Sequence, residues 1–135
     1  MRNLFENDVT GQIGSQKYLC TISWRNGTFV MDEPENIEGK DLGPDPYTML
    51  LASLAGCTLS TLRMYIDRKK WNIPEINISL NMFQENDTEL TTTISRTISF
   101  PLTIDTETKK RLLFIAEKCP VSKLLKNTIL IKTTL

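Results

Sequence analysis

The chain contains no histidine. That absence removes Ser-His-Asp and Cys-His catalysis, imidazole acid–base chemistry and every His-ligated metal site. An excess of positive charge is missing too. Sixteen Lys and Arg offset sixteen Asp and Glu, so nothing draws in a nucleic-acid backbone or an anionic membrane. Cysteines are few and odd in number: Cys20, Cys57 and Cys119 do not make a secreted disulfide scaffold. Their spacing also fits no zinc rule, which asks for short Cys-x-x-Cys steps and four ligands, so no metal is expected. The opening MRNLFENDVT puts no apolar stretch behind its charge and does not read as a signal peptide. The one long uncharged stretch, residues 46–62, holds Ser53, Gly56, Thr58, Ser60 and Thr61. A bilayer span needs about 20 predominantly apolar residues, so this stretch reads as a helix buried inside protein. The expectation is a soluble, cytoplasmic domain with reduced thiols. Its chemistry must come from Cys, carboxylates, Lys, Arg, Tyr or hydroxyls.

With 135 residues, 40% apolar and 24% charged, the chain is large enough for one hydrophobic core and too apolar for disorder. No linker, repeat or low-complexity tract interrupts it. One domain over residues 1–135 is expected, with a loose N-terminal arm over residues 1–10.

Residues 17–24 alternate, with Tyr18, Cys20, Ile22 and Trp24 on one face, as in a half-buried strand. Asn26-Gly27 reads as the tight turn of a hairpin, and residues 28–31 as its return strand. The Gly- and Pro-rich acidic stretch 32–44 reads as loop. Asp45-Pro46 is a helix start, an N-cap followed by proline at the first helical position. The helix is expected to run to about Lys70, where Asn72-Ile73-Pro74 stops it. Leu50, Leu51, Leu54, Thr58, Leu62, Tyr65 and Ile66 form a wide apolar stripe, and the first half of the helix has no charged face. A chain this small cannot cover such a helix alone, which points to a second copy.

Residues 75–82 alternate with Ile76, Ile78, Leu80 and Met82 inward, residues 84–89 read as a polar turn, and residues 92–100 as another strand. Arg96 interrupts the inward set Ile94, Ile98 and Phe100. Either a buried cation finds a partner there, or its stem snorkels to the sheet edge. Asp105 or Thr106 caps a further helix carrying Leu112, Ile115, Ala116 and Cys119 on one face. Pro120 breaks it, residues 121–126 add a helical turn, and residues 129–133 close with a strand. Strands around a buried helix without regular βαβ units make the fold α+β.

Cys20 reads as a small buried hydrophobe between Tyr18 and Ile22. Cys57 in the uncharged helix and Cys119 before Pro120 read either as core residues or as a redox dithiol, and their spacing alone leaves both readings open.

Residues 43–58, GPDPYTMLLASLAGCT, resemble the first cysteine motif of the OsmC/Ohr family, the osmotically inducible and organic hydroperoxide resistance proteins. Residues 116–122, AEKCPVS, resemble its second. Leu62-Arg63-Met64-Tyr65 and Asp67-Arg68-Lys69 are similar to the OsmC-like branch. The resemblance runs from about residue 14 onward. It implies an OsmC-like fold, an antiparallel sheet packed on a long central buried helix, with two chains intertwined as a homodimer. It also implies a thiol peroxidase that needs no metal or bound cofactor. Cys57 would attack a hydroperoxide as thiolate, Cys119 would resolve the sulfenic acid as a disulfide, and a dithiol or lipoylated protein would reduce it. Such a thiolate needs a cation, because an unperturbed Cys has a pKa of about 8.5. Arg25 stands in the hairpin turn where family members place a catalytic arginine, and Arg96 is a second, supporting candidate. The family glutamate that holds that arginine is absent here. Tyr47 and Thr48 stand at the start of the helix instead, and Tyr47 either packs or lines a pocket. Two other functions are compatible with this pattern: a dimeric module that binds a hydrophobic small molecule, and a redox sensor without turnover.

Overall fold

A computed structural model describes residues 3–86 and 90–135 of the chain, and they fall into two compact units, residues 1–50 and 51–135. In the first, β1 (Thr10–Ile13), β2 (Cys20–Trp24) and β3 (Gly27–Met31) form an antiparallel sheet in the order β1-β2-β3. The strand β1 begins where the loose arm was expected to end. The β2–β3 turn is centred on Arg25 and Asn26, one residue earlier than the Asn26-Gly27 pattern indicates, and Trp24 pairs with Gly27. Neither Arg25 nor Asn26 takes a positive φ; the glycine's freedom is used on leaving the turn, at φ 158°.

The stretch after β3 is an ordered loop. Asp32, 1% exposed, receives backbone N–H bonds from Tyr18, Glu33, Lys40 and Leu42. Gly39 is pressed so closely on this loop that a Cβ there would lie 1.9 Å from the Glu33 carbonyl oxygen. The long helix α1 (Pro46–Lys69) starts as the Asp45-Pro46 pair dictates. The Asp45 carboxylate accepts from the Thr48 N–H at 2.9 Å and from the Thr48 hydroxyl at 2.7 Å.

The second unit takes most of α1, the hairpin β4 (Asn77–Asn86) and β5 (Leu90–Ser99), and helices α2 (Thr106–Ala116) and α3 (Pro120–Leu125). Strand β4 runs through Gln84 and Glu85, expected as turn, because polar residues pair well on the open face of a hairpin. The rest of that turn, residues 87–89, lies outside the described residues. Asp105 is the cap of α2, accepting from the Thr108 N–H at 3.1 Å.

Leu62, Tyr65 and Ile66 of α1 pack with Leu112 and Ala116 of α2 and with Ile73 and Ile104, while Ile98 and Phe100 lie against this core. By length and composition α1 would cross a membrane, but this stripe makes it the core helix. Only one side of it is covered. Ala52, Ser53, Gly56, Ser60 and Met64 are exposed, and Leu50, expected in the apolar stripe, is 38% exposed. Residues 129–133 form no strand, contrary to expectation, and Ile129, Leu130 and Ile131 are exposed. β-branched residues alone do not make a strand; it needs a partner edge to satisfy its backbone.

Candidate active site

Cys57 and Cys119, 62 positions apart in sequence, meet in the second unit as neighbouring thiols. Cys57 projects from the middle of α1 and is partly exposed. Cys119 ends the turn after α2, its N–H bonded to the Ala116 carbonyl at 3.2 Å, and is fully buried. Pro120 occupies the first position of α3, where a missing N–H costs nothing. The next N–H groups, otherwise unsatisfied in a first helical turn, lie near the sulfurs, Val121 beside Cys57 and Ser122 beside Cys119, although Cys119 makes no side-chain capping bond.

The two thiols differ in acidity. Burial pushes the Cys57 thiol up and the neighbouring Cys119 pushes it further, against the weaker pull of the Val121 N–H and the Thr61 hydroxyl. Burial also acts to raise Cys119, but the neighbouring Cys57, the nearby Ser122 N–H and the polar Thr58 and Ser122 hydroxyls outweigh it and hold Cys119 below its ordinary value. Thr58 has one hydrogen, and it goes to the Leu54 carbonyl at 2.7 Å. Ser122 is therefore the hydroxyl with a hydrogen to spare for Cys119.

Arg96 resolves its two sequence readings in favour of a partnered, mostly buried cation. Its side chain is 12% exposed. One terminal nitrogen donates to Thr58 Oγ1 at 2.8 Å and to Ser122 Oγ at 2.7 Å, and the other to Glu117 Oε1 at 3.4 Å. Glu117 also binds Lys126. The Lys126 ammonium, with Arg96 assisting, holds the Glu117 carboxyl below the usual carboxylate range against the cost of its partial burial. Among the described residues, no buried side-chain nitrogen or oxygen lacks a partner.

Arg96, Glu117 and Ser122 also line a cavity of about 930 Å³, with Leu54, Ile94, Ile98, Phe100, Leu112 and Leu125 among its apolar walls. Among the described residues, no group of three or more His, Cys, Asp or Glu is placed to hold a metal.

Arg25 and Tyr47 belong to the first unit. Arg25 is exposed in the β2–β3 turn, its guanidinium 5.3 Å from the centroid of the Trp24 ring. Tyr47 is 66% exposed in the first turn of α1. Cys20 is only partly buried, its thiol 3.6 Å from the Tyr18 carbonyl. Sequence reasoning counted Thr58 in an apolar stripe and passed over Ser122 and Glu117. The available signals were a hydroxyl inside a stripe of leucines and a serine one helical turn beyond Cys119.

A family model described as OsmC-like protein matches residues 39–134. The fold is similar to that of an OsmC-like protein from Mycoplasma pneumoniae, with 20% identity over 92% of this chain and 89% of that one, at a TM-score of 0.69. It is also similar to the organic hydroperoxide resistance protein OhrB of Bacillus subtilis, with 21% identity over 92% and 93% of the two chains and a TM-score of 0.66. A third, from Psychrobacter arcticus 273-4 and assigned to the osmotic stress and detoxification response, has 20% identity over 90% and 91% and a TM-score of 0.74. At such identities the likeness is one of fold. No curated protein matches the chain in sequence.

Proposed function

The chain belongs to the OsmC-like protein family, and from that premise we propose that it is a cysteine-based, thiol-dependent reductase of hydroperoxides. The observation that carries this reading is the meeting of Cys57 and Cys119, one thiol partly exposed and the other sealed. An exposed sulfur can meet a peroxide; a buried neighbour can only resolve what the first has formed. Cys57 attacks the terminal oxygen as thiolate, an alcohol leaves, and Cys119 condenses with the Cys57 sulfenic acid to a disulfide that an external dithiol or lipoylated protein reduces. Arg25 is the cation assigned to Cys57 in this reading. The protein works as a cytoplasmic homodimer that needs no metal or bound cofactor.

Cumene hydroperoxide with dithiothreitol is the direct assay. Peroxide loss should be catalytic for the unaltered protein and fall to the uncatalysed rate in Cys57→Ser. Undiminished turnover in that variant would end the claim. A second reading is favoured by the cavity beside Arg96, whose apolar walls suit a hydrophobic small molecule. Native mass spectrometry of protein taken from cells separates the two. A retained small-molecule adduct on a peroxide-inert protein supports the binding module, and a bare protein that turns over peroxide excludes it.

A further inference from the structure

Arg96 stands in the second unit within one hydrogen bond of both cysteine-bearing segments. Thr58, its 2.8 Å partner, follows Cys57 on α1; Ser122, its 2.7 Å partner, lies three residues after Cys119 on α3. The guanidinium is always charged and presents its donors in a fixed fork, so both hydroxyls are held as acceptors. Thr58 spends its hydrogen on the Leu54 carbonyl. Ser122 is left to turn its hydrogen toward the buried Cys119 sulfur, and a hydroxyl already accepting from a cation is a stronger donor.

We infer that Arg96 is the positioning residue of the thiol pair: it ties α1 beside Cys57 to the α3 turn that follows Cys119 and orients the Ser122 hydroxyl toward the Cys119 sulfur, so that Cys119 is held ready to resolve the Cys57 sulfenic acid. This inference rests on the peroxidase reading and deepens its resolving step in a chain without histidine and without the family glutamate. The charged and titratable groups around the pair are Cys57 on α1, Arg96 on β5, Glu117 after α2 and Lys126 after α3. Glu117 neutralises part of the Arg96 charge through the terminal nitrogen that the hydroxyls do not use, and Lys126 offsets Glu117 in turn.

The step balances. The Cys57 thiol gives its proton to solvent; the Cys57 sulfur bonds to the terminal oxygen of ROOH, the O–O bond breaks, and the alkoxide takes a proton from solvent. Cys57 is now a sulfenic acid, oxidised by two electrons. Cys119 then attacks the Cys57 sulfur, the S–S bond forms and the S–O bond breaks. The departing hydroxide takes the proton that Cys119 releases and leaves as water.

The test uses the full chain and needs no peroxide. Thiolate is titrated by its absorbance near 240 nm, and disulfide formation is driven by diamide, in the unaltered protein and in Arg96→Met, Arg96→Lys, Ser122→Ala and Cys119→Ser. One thiol should ionise at a lower pH than an ordinary cysteine, and that titration should vanish in Cys119→Ser. Arg96→Met should move it upward and slow disulfide formation at pH 7 roughly tenfold, the worth of one hydrogen bond to a charged group. Ser122→Ala should move both in the same direction by less, and Arg96→Lys should recover most of the loss. The inference is overturned if Ser122→Ala and Arg96→Lys both keep the unaltered titration and rate while Arg96→Met either does the same or fails to fold. It is equally overturned if the acidic thiol survives in Cys119→Ser. A protein inert toward peroxide but showing these thiol effects would sink the peroxidase reading and leave the Arg96 assignment to the dithiol in place.

Discussion

At the scale of single residues, a mostly buried cation and a buried carboxylate organise the chain in opposite ways. Arg96 was visible because a cation broke the alternation of Ile94, Ile98 and Phe100, and a period-two pattern makes such a break legible. Its partners were not legible. Which hydroxyl a guanidinium reaches depends on how helices pack against the strand, and nothing local to Thr58 or Ser122 encodes that. Asp32 is the converse case, a carboxylate with no counter-charge among its partners, held by four N–H groups. Burial alone would raise its pKa, but those bonds outweigh burial and hold it below the ordinary value. A carboxylate depressed in the folded state contributes stability that is present above its unfolded value, about 3.9, and is lost as pH falls through the folded one. Urea unfolding midpoints should therefore decline on acidification below about pH 4. Asp32→Asn should start lower at neutral pH and show a shallower decline; an unchanged acid limb would assign that loss to other carboxylates.

Elements were legible where one segment carries its own instructions. The Asp45-Pro46 start of α1 and the Asp105 cap of α2 follow from side chains next to the backbone groups they satisfy, and α1 ends at Lys69 where Lys70 turns into the left-handed region ahead of Pro74. The reading failed where a second segment decides. Residues 129–133 have the composition of a strand and no edge to join. The uncovered side of α1 poses the same question. Gly56 sits mid-helix where a Cβ would meet nothing within 4 Å, although glycine there costs about 1 kcal/mol relative to alanine. The second copy of the chain proposed above, laid against this side, would account for both the small residues and the missing charge. Gly56→Arg should accordingly turn a sedimenting dimer into monomer, whereas an unaltered sedimentation coefficient would place the dimer contact elsewhere.

For the whole molecule, the α+β class was legible from alternating strands around one buried helix, and the family from two short cysteine-containing stretches, 43–58 and 116–122. What they could not give is the relation between the thiols, because it is made by α2, α3 and β5 closing on α1 across a separation of 62 positions. Joining sulfurs so far apart should also stabilise the fold. A loop of that length corresponds to about 4 kcal/mol in the chain-entropy account, so the oxidised form should melt well above the reduced one. The most direct measurement is the mass and thiol count of the reduced protein after one equivalent of cumene hydroperoxide without any reductant. The account predicts that the peroxide is consumed, two hydrogens are lost per chain, and peptide mapping finds Cys57 joined to Cys119 with Cys20 still free. Intact peroxide, or oxidation that leaves Cys57 and Cys119 unjoined, would contradict it.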